Sequence, residues 1–332
     1  MKKFCIRFLF ISCLMIALSF FSSWGTFGHE HINKAAVFAL PDSMQLFFYN
    51  HIDFITQEST VPDLRKYTML EKTETPRHYI DLEKFGPVDS IPEKFSEANL
   101  KYAPEFLNEF GILPWHIQEM MDKLTKAFKN KRKTEILFLA ADLAHYLGDA
   151  HMPLHTTINH DGQLTDQRGI HALWESRLPE VYGPEYNYHT SQATYIENIP
   201  KTTWQLIMHS YKLADTVLLA DKALRKKLAK DKIFKLDSKG GIVKNKFNQN
   251  VFTDEYAEQF HEQLNGMVES QLRAAIVCAS SYWYTAWVNA GKPNLTDLDP
   301  AYLNEQNKER LQMELKKWKY GKLLGIESEK EF

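Results

Sequence analysis

The chain has 332 residues, and its 40 Lys and Arg residues nearly balance its 42 Asp and Glu residues, leaving a formal net charge of −2. This balance provides no strong overall positive field for holding a long nucleic-acid backbone, although it permits a local basic patch. The length allows one large domain with a substantial core, or two small ones. Cys5 and Cys13 lie within the first 23 residues and Cys278 stands alone afterwards, so no internal disulfide is expected after residue 23.

The first 23 residues have the layout of a secretory signal peptide. Three basic residues occur among the first seven positions, and residues 8–21 are almost wholly apolar but too short to cross a membrane comfortably. Phe21 occupies a position where cleavage sites prefer a small residue, so an uncleaved membrane anchor is the alternative. We expect an exported protein, periplasmic or extracellular, in which residues 24–332 form a single domain.

Helical spacing of apolar residues is common after residue 23, and strand patterns are sparse, which predicts an all-α fold. Asp42 or Ser43 is the expected N-cap of the second helix. The segment containing Pro62, Pro76, Pro87 and Pro92 is expected to be irregular, and residues 237–250 to form a surface loop or hairpin. The predicted helices are 28–40, 42–57, 103–129 with a break near 111–114, 133–150, 170–178, 200–230, 253–290 and 300–322.

The central chemical signal lies at the end of the predicted helix 133–150. His145 and Asp149 are four residues apart, so both side chains leave one face of that helix one turn apart. The rest of the helix is apolar, and an ionisable pair is costly to bury unless a partner such as a cation compensates it. His155 follows the helix-stopping Pro153 and can turn back toward the same face.

His171 and Glu175 repeat this spacing on the predicted helix 170–178. Imidazole nitrogen and carboxylate oxygen together suit Zn²⁺. Either pair alone is most simply a helix-surface ion pair, but two such pairs with His155 between them favour a metal site.

These motifs resemble those of the zinc-dependent phospholipase C and S1/P1 nuclease superfamily, whose fold is mostly helical and whose site holds three zinc ions. The sequence Trp-Gly-Thr-Phe-Gly-His at residues 24–29 resembles the superfamily's N-terminal motif, in which the first residue binds metal through its own amine and carbonyl. Asp63 in Val-Pro-Asp and His78 in Pro-Arg-His-Tyr match the next ligand positions. The resemblance is strong from Trp24 to about Arg177, and the rest of the chain matches only as helices.

The resemblance implies a trinuclear zinc site with a ligand set for each ion. It also implies that Asp63 orients or deprotonates the attacking water, and that cleavage after Ser23 frees the amine of Trp24. The first implied set is Asp63, His78, His145 and Asp149; the second is His155, His171 and Glu175; the third is the Trp24 amine and carbonyl, His29 and the other oxygen of Asp149.

Residues beside these positions are weaker candidates. Arg65, Lys66 and Arg77 are candidates for holding a phosphate oxygen, with a solvated loop as the alternative. His31 and His160 are expected at the surface, and His151 at the surface or behind the ligands. Phe27, Tyr79 and Trp174 are candidates for apolar residues at the mouth of the site, although core packing is the favoured interpretation for Phe27 and Tyr79.

The resemblance implies a hydrolase of phosphate esters but leaves its branch open. Glu175 as the last ligand resembles the phospholipase branch, because the nuclease branch favours Asp there. The short spacing from Trp24 to His29 and the sequence Gly-Asp-Ala-His-Met-Pro-Leu-His resemble the nuclease branch. Because positive charge is low and no stacking platform is evident, we expect a phospholipase C-like enzyme, with an S1/P1-type single-strand nuclease or 3′-nucleotidase as the alternative and an inactive zinc-binding structural protein as a further one.

The expected partner is accordingly a phospholipid or a nucleotide phosphodiester substrate. Peripheral membrane contact is compatible with the lipid reading, and no obligate protein partner is evident.

Overall fold

A computed structural model describes residues 25–67, 72–245 and 249–323, and α-helices dominate these segments. Their extended pairing is limited to isolated antiparallel bridges, such as Leu236 with Ile242 and Lys244 with Asn250, which form the predicted hairpin. The all-α prediction is therefore confirmed. Trp24 and the predicted signal peptide lie outside the described residues. Within the described segments, no helix combines the length and apolarity needed to cross a bilayer.

The helices are numbered in chain order, and short 3₁₀ turns such as Thr75–Arg77 and Pro153–Thr156 connect some of them. They are α1 Gly25–Ala39, α2 Asp42–Asn50, α3 Ile52–Glu58, α4 Val61–Tyr67, α5 Phe95–Lys101, α6 Pro104–Phe110, α7 Leu113–Lys129, α8 Lys133–His151, α9 Ile170–Ala172, α10 Leu178–Tyr182, α11 Ile199–Lys227, α12 Lys230–Ile233, α13 Asp254–Gln263, α14 Met267–Asn289 and α15 Ala301–Trp318.

Two of the predicted long helices are interrupted. The helix predicted over 42–57 is divided at His51, whose φ is −121°, into α2 and α3. Asn265 and Gly266 adopt left-handed conformations, with φ of 48° and 74°, and divide the region predicted as 253–290 into α13 and α14. A left-handed residue cannot continue a right-handed helix, so the chain changes direction between α13 and α14.

Two local predictions were wrong at the start of helices. Pro41, and not Asp42 or Ser43, is the N-cap of α2, and no side chain caps it. Asp42 lies in the first turn instead, where its charge favours the positive end of the helix dipole. Pro62 lies in the first turn of α4 and not in an irregular loop, because a first-turn proline sacrifices no helical hydrogen bond.

Helix α8 lies at the centre of the fold. Its apolar side chains cover most of its circumference, and it packs against α1, α3, α7, α11 and α14. Trp283 of α14 donates its indole hydrogen to the Ala140 carbonyl at 2.9 Å, and Ser210 of α11 donates its hydroxyl to the Ala150 carbonyl at 2.6 Å. These contacts fix the position and rotation of α8, and therefore the directions in which its polar residues point.

The C-terminal helix α15 packs against α2. The Tyr49 hydroxyl donates to Glu314 at 2.8 Å, and the Trp318 indole donates to the Tyr188 carbonyl at 2.9 Å. The Trp318 ring also stacks on Phe38 of α1, with centroids 6.2 Å apart. The end of the described chain thus braces the N-terminal helices.

Gly111, between α6 and α7, is required by a close backbone approach. Its φ is +89°, and a Cβ there would lie 2.1 Å from the Tyr79 carbonyl oxygen. Gly266, between α13 and α14, has a similar φ of +74°, but a Cβ there would have no other atom within 4 Å. A side chain would therefore be strained at both positions, but it would collide with the backbone only at Gly111.

We predict that Gly111→Ala lowers the free energy of unfolding by at least about 2 kcal/mol more than Gly266→Ala. Both substitutions place a side chain at a positive φ, which costs of order 1–3 kcal/mol, but only the first also displaces the backbone of Tyr79. Chemical denaturation of both variants measures the difference. Equal losses would show that the close approach at Tyr79 is absent.

Candidate metal centre

The described structure brings together the side chains of eight of the nine predicted metal ligands, and Trp24 lies outside it. Seven of the eight residues are buried, whereas the His171 side chain is 23% exposed. His29 lies on α1, Asp63 on α4, His78 directly after the turn Thr75–Arg77, His145 and Asp149 on α8, His155 in the turn Pro153–Thr156, His171 on α9, and Glu175 in the π-helical turn Leu173–Arg177.

The first cluster consists of Asp63, His78 and His145, with Asp149 beside them. Asp149 Oδ2 lies 2.9 Å from His78 Nδ1 and 3.3 Å from His145 Nε2. Asp63 Oδ1 lies 3.6 Å and 4.0 Å from the same two nitrogen atoms. Two oxygen and two nitrogen donors therefore converge on one small volume.

A second cluster consists of His29, His145 and Asp149. His29 Nε2 lies 3.7 Å from Asp149 Oδ1, and its ring stacks on His145 with centroids 3.8 Å apart. Gly148 makes room for this ring, because a Cβ there would lie 3.1 Å from His29 Nδ1. The two oxygen atoms of Asp149 consequently face two different donor groups.

The third cluster consists of His155, His171 and Glu175. The two histidine Nε2 atoms are 3.3 Å apart, and the Glu175 oxygen atoms lie 3.4 Å from that of His155 and 3.1 Å from that of His171. Glu175 lies in a π-helical turn, a rare element that is frequent at functional sites. His155 Nδ1 approaches Asp149 Oδ1 at 3.3 Å, which joins this cluster to the others.

Backbone carbonyls orient two of these imidazoles. His145 Nδ1 donates to the Ser59 carbonyl at 2.7 Å, and His171 Nδ1 donates to the His160 carbonyl at 3.0 Å. Each bond leaves Nε2 as the lone-pair atom that faces its cluster. Such outer contacts are the usual support of metal-binding histidines.

Glu74 orients His78 and was missed by the sequence analysis. Its buried carboxylate lies 3.4 Å from His78 Nε2, so that His78 Nδ1 faces the first cluster. The Tyr146 hydroxyl and the guanidinium groups of Arg65 (3.3 Å) and Arg77 (2.7 Å) donate to the same carboxylate. Glu74 lies four residues before His78, a spacing that would place both side chains on one face of a helix. Pro76 lies between them, however, and argues against a helix there.

The three basic candidates for phosphate binding have different surroundings. Arg65 also contacts Asp142 at 2.7 Å, and Arg77 contacts Glu74, so both guanidinium groups serve buried carboxylates. Lys66 Nζ instead lies 3.1 Å from Asp63 Oδ1, at the first cluster.

The remaining histidines lie outside the three clusters. His31 is buried, donates to the Phe27 carbonyl at 2.7 Å and stacks on the Phe27 ring, so its predicted surface position was wrong. His151 is buried and donates to the Leu147 carbonyl, whereas His160 is exposed as expected. These local contacts satisfy His31 and His151 without a metal.

The aromatic residues expected at the mouth of the site differ in exposure. Phe27 and Trp174 are buried, which confirms the favoured core packing of Phe27 and contradicts a place for either ring at an apolar mouth. Tyr79 is half-buried and donates its hydroxyl to the Glu109 carbonyl.

The buried carboxylates of the clusters are ionised. Burial opposes ionisation, but His145 and His155 hold the pKa of Asp149 well below its usual range, and His171 and His155 do the same for Glu175. Lys66 and His145 likewise lower the pKa of Asp63 against the effect of burial. Burial lowers the pKa of His29 to about 3, which keeps its ring neutral. Asp149 raises the pKa of His145 and of His155 against the effect of burial, so binding a cation at these carboxylates would release the protons of both imidazoles.

The donor chemistry fits zinc. All eight side chains offer nitrogen or oxygen, and no cysteine is among them. Asp149 Oδ1 and Glu175 Oε2 are buried and accept no hydrogen bond within the described residues. Buried carboxylate oxygens without hydrogen bonds are costly, and coordination to a metal removes that cost.

A model of the S1/P1 Nuclease family matches residues 24–277, which is most of the chain. The matched range includes all nine predicted ligand positions and ends before α15. No curated protein matches the chain.

We predict that Glu74→Gln weakens zinc binding about 10- to 100-fold, because the loss of an outer carboxylate costs a histidine ligand its orientation and basicity. The matched control is Glu119→Gln, which removes a carboxylate 3.4 Å from a histidine outside the three clusters, His116. Zinc titration against a competing chelator measures both affinities. If the two variants lose the same amount, Glu74 has no special role at the metal centre.

Proposed function

The chain belongs to the S1/P1 nuclease family, and on that premise we propose that it cleaves single-stranded nucleic acid or removes the 3′ phosphate of nucleotides. The family consists of zinc-dependent phosphoester hydrolases, so this chain is a zinc-dependent hydrolase of phosphate esters. The observation that favours a nucleic-acid substrate over a lipid is the match of the nuclease family model over residues 24–277.

The phospholipase C-like interpretation that we favoured from the sequence has less support than the nuclease alternative. It rested on Glu175 in place of Asp, on the low positive charge and on the absence of an evident stacking platform. It also required apolar residues at the mouth of the site, and two of the three candidates, Phe27 and Trp174, are buried. We therefore keep the lipid substrate as the second candidate.

We propose that three zinc ions bind at the clustered side chains. The first ion is assigned to Asp63, His78, His145 and Asp149, and the second to His155, His171 and Glu175. The third is assigned to His29, the other oxygen of Asp149, and the amine and carbonyl of Trp24. The distances within the clusters support this assignment, and so does the fact that one Asp149 oxygen lies near His78 and the other near His29.

Zinc supplies Lewis acidity, which polarises a phosphoryl oxygen and makes water acidic enough to act as a nucleophile near neutral pH. Asp63 then orients the attacking water and accepts its proton, because its carboxylate remains ionised although buried. Lys66, whose Nζ lies 3.1 Å from Asp63 Oδ1, is placed to hold a phosphate oxygen beside that water. Arg65 and Arg77 are assigned to positioning Glu74 and, through it, His78.

We also propose that the chain is exported and that removal of residues 1–23 exposes the Trp24 amine. Members of the family are typically secreted, which supports export. The cleavage site itself remains a prediction.

The test compares the zinc-loaded protein on single-stranded DNA, a 3′-nucleotide and phosphatidylcholine vesicles. We predict cleavage of DNA and release of phosphate from the nucleotide, at rates at least about tenfold above head-group release from lipid. Asp63→Asn should lower both rates by about 10²- to 10⁴-fold through loss of the proton acceptor, whereas the exposed control Asp53→Asn should leave them unchanged. Head-group release without DNA cleavage would establish the phospholipase reading instead.

A further inference from the structure

A short segment of the chain carries a concentrated positive charge. Between positions 222 and 244 there are nine basic and two acidic residues, although the whole chain has a net charge of −2. The segment includes the end of α11, the short helix α12 and the antiparallel bridges that follow it. Seven of its lysines are exposed and are called the basic surface below: Lys222, Lys226, Lys227, Lys230, Lys235, Lys239 and Lys244.

The seven lysines of the basic surface outnumber the two carboxylates of the segment, Asp231 and Asp237. Lys232 pairs with Glu255 at 2.8 Å and Arg225 pairs with Asp221 at 2.6 Å, so neither is counted in it. Within the described part of the chain, none of the seven lysines forms an ion pair with a carboxylate. Seven exposed positive charges close in sequence produce a local field that attracts a polyanion.

Arg225 and Phe252 connect this segment to the wall of the metal centre. The Arg225 guanidinium lies over the rings of Phe234 and Phe252, 5.4 Å and 5.6 Å from their centroids. The Phe252 carbonyl accepts a hydrogen bond of 3.2 Å from Arg177, which lies in the same π-helical turn as Glu175. The packing therefore attaches the basic segment, through Phe252 and Arg177, to the turn that carries Glu175.

A second connection leads to the stretch of chain that precedes His171. Arg225 donates to the Gln167 carbonyl at 3.2 Å, and the Gln167 side chain donates to Asp221 at 2.7 Å. Gln167 lies four residues before His171, which is the most exposed of the described candidate ligands. The basic segment is thus attached to the stretch of chain that leads into His171.

We propose that the basic surface binds the phosphodiester backbone of single-stranded nucleic acid while a bond of the same strand lies at the metal centre. This inference rests on the nuclease function proposed above and adds an extended binding surface to it. Lysine side chains contact phosphates without regard to base sequence, which suits an enzyme acting on arbitrary single strands. Between positions 222 and 244 no large apolar side chain of the described residues is exposed, so the segment lacks the apolar anchor of a membrane-binding surface.

The test removes three of these charges with Lys226→Gln, Lys230→Gln and Lys235→Gln in one zinc-loaded variant. Binding to a phosphorothioate single strand of about 30 nucleotides, longer than a single binding site, is measured by fluorescence anisotropy over a range of salt concentrations. We predict that Kd rises roughly tenfold at low salt and that the slope of log Kd against log salt falls by about 2, because about 0.7 counterions are released per phosphate neutralised on a single strand. The KM for long single-stranded DNA should rise by a similar factor, with kcat unchanged.

The matched control removes the same charge from helix α15 with Lys308→Gln, Lys316→Gln and Lys317→Gln, all at exposed positions. We predict that this variant binds and cleaves DNA like the unmodified protein. Both variants should hydrolyse a 3′-nucleotide at the unmodified rate, because so small a substrate does not extend beyond the metal centre. Thermal denaturation establishes that both variants are folded.

Binding and cleavage distinguish the two proposals. If the unmodified protein cleaves DNA but both triple variants bind and cleave it equally well, the basic surface is not a nucleic-acid site and the nuclease function stands. If the unmodified protein cleaves neither DNA nor a 3′-nucleotide, the nuclease function fails, and the anisotropy measurement still reports on the surface. Loss of binding to phosphatidylserine vesicles with unchanged DNA binding would overturn the proposal in favour of an anionic lipid surface.

Discussion

The carboxylate of Asp149 is the constraint on which the rest of the site depends. It is completely buried at the end of the central helix, with Oδ2 near His78 and His145 and Oδ1 near His29 and His155. Burying a charge at this depth without compensation would cost several kcal/mol. The surrounding imidazoles keep the carboxylate ionised, and its two oxygens face different groups of imidazoles, so each could serve a different cation.

The packing of the helices serves this arrangement. Trp283 and Ser210 fix α8 from two sides, and Gly148 lets the His29 ring of α1 lie against the same helix. Glu74 and the Ser59 carbonyl orient the imidazoles from behind. Rigid elements carry most of the donors, which is what a preorganised metal site requires, because each donor must hold its direction before the cation binds.

The sequence could predict the parts of this site that follow from helical periodicity. The four-residue spacings of His145 with Asp149 and of His171 with Glu175 place each pair on one face, and the structure brings both pairs into clusters. The resemblance to a known superfamily added Asp63, His78 and His29, whose proximity depends on long-range packing and has no signature in local spacing. The all-α class followed from the same periodicity.

The parts that could not be predicted depend on tertiary contacts or on turn geometry. Glu74 lies in a proline-rich segment without periodicity, so nothing local indicated that its carboxylate would face His78. His31 was expected at the surface because it matches no ligand position of the superfamily, but a neighbouring carbonyl and the Phe27 ring satisfy it in the interior. The attachment of the basic segment to the stretch of chain before His171 could be seen only from the contact of Arg225 with Gln167, which joins residues far apart in the chain.

The most direct test of the account is to count zinc in the purified protein and in Asp149→Asn by elemental analysis, with the exposed Asp215→Asn as the matched control. The account predicts about three zinc ions per chain in the unmodified protein and in the control, and about one in Asp149→Asn, retained by His155, His171 and Glu175. The melting temperature of the unmodified protein should also fall on chelation, because metal bound to the folded state stabilises it. One ion or none in the unmodified protein, or an unchanged count in Asp149→Asn, would contradict the bridging role of Asp149 and with it the trinuclear centre.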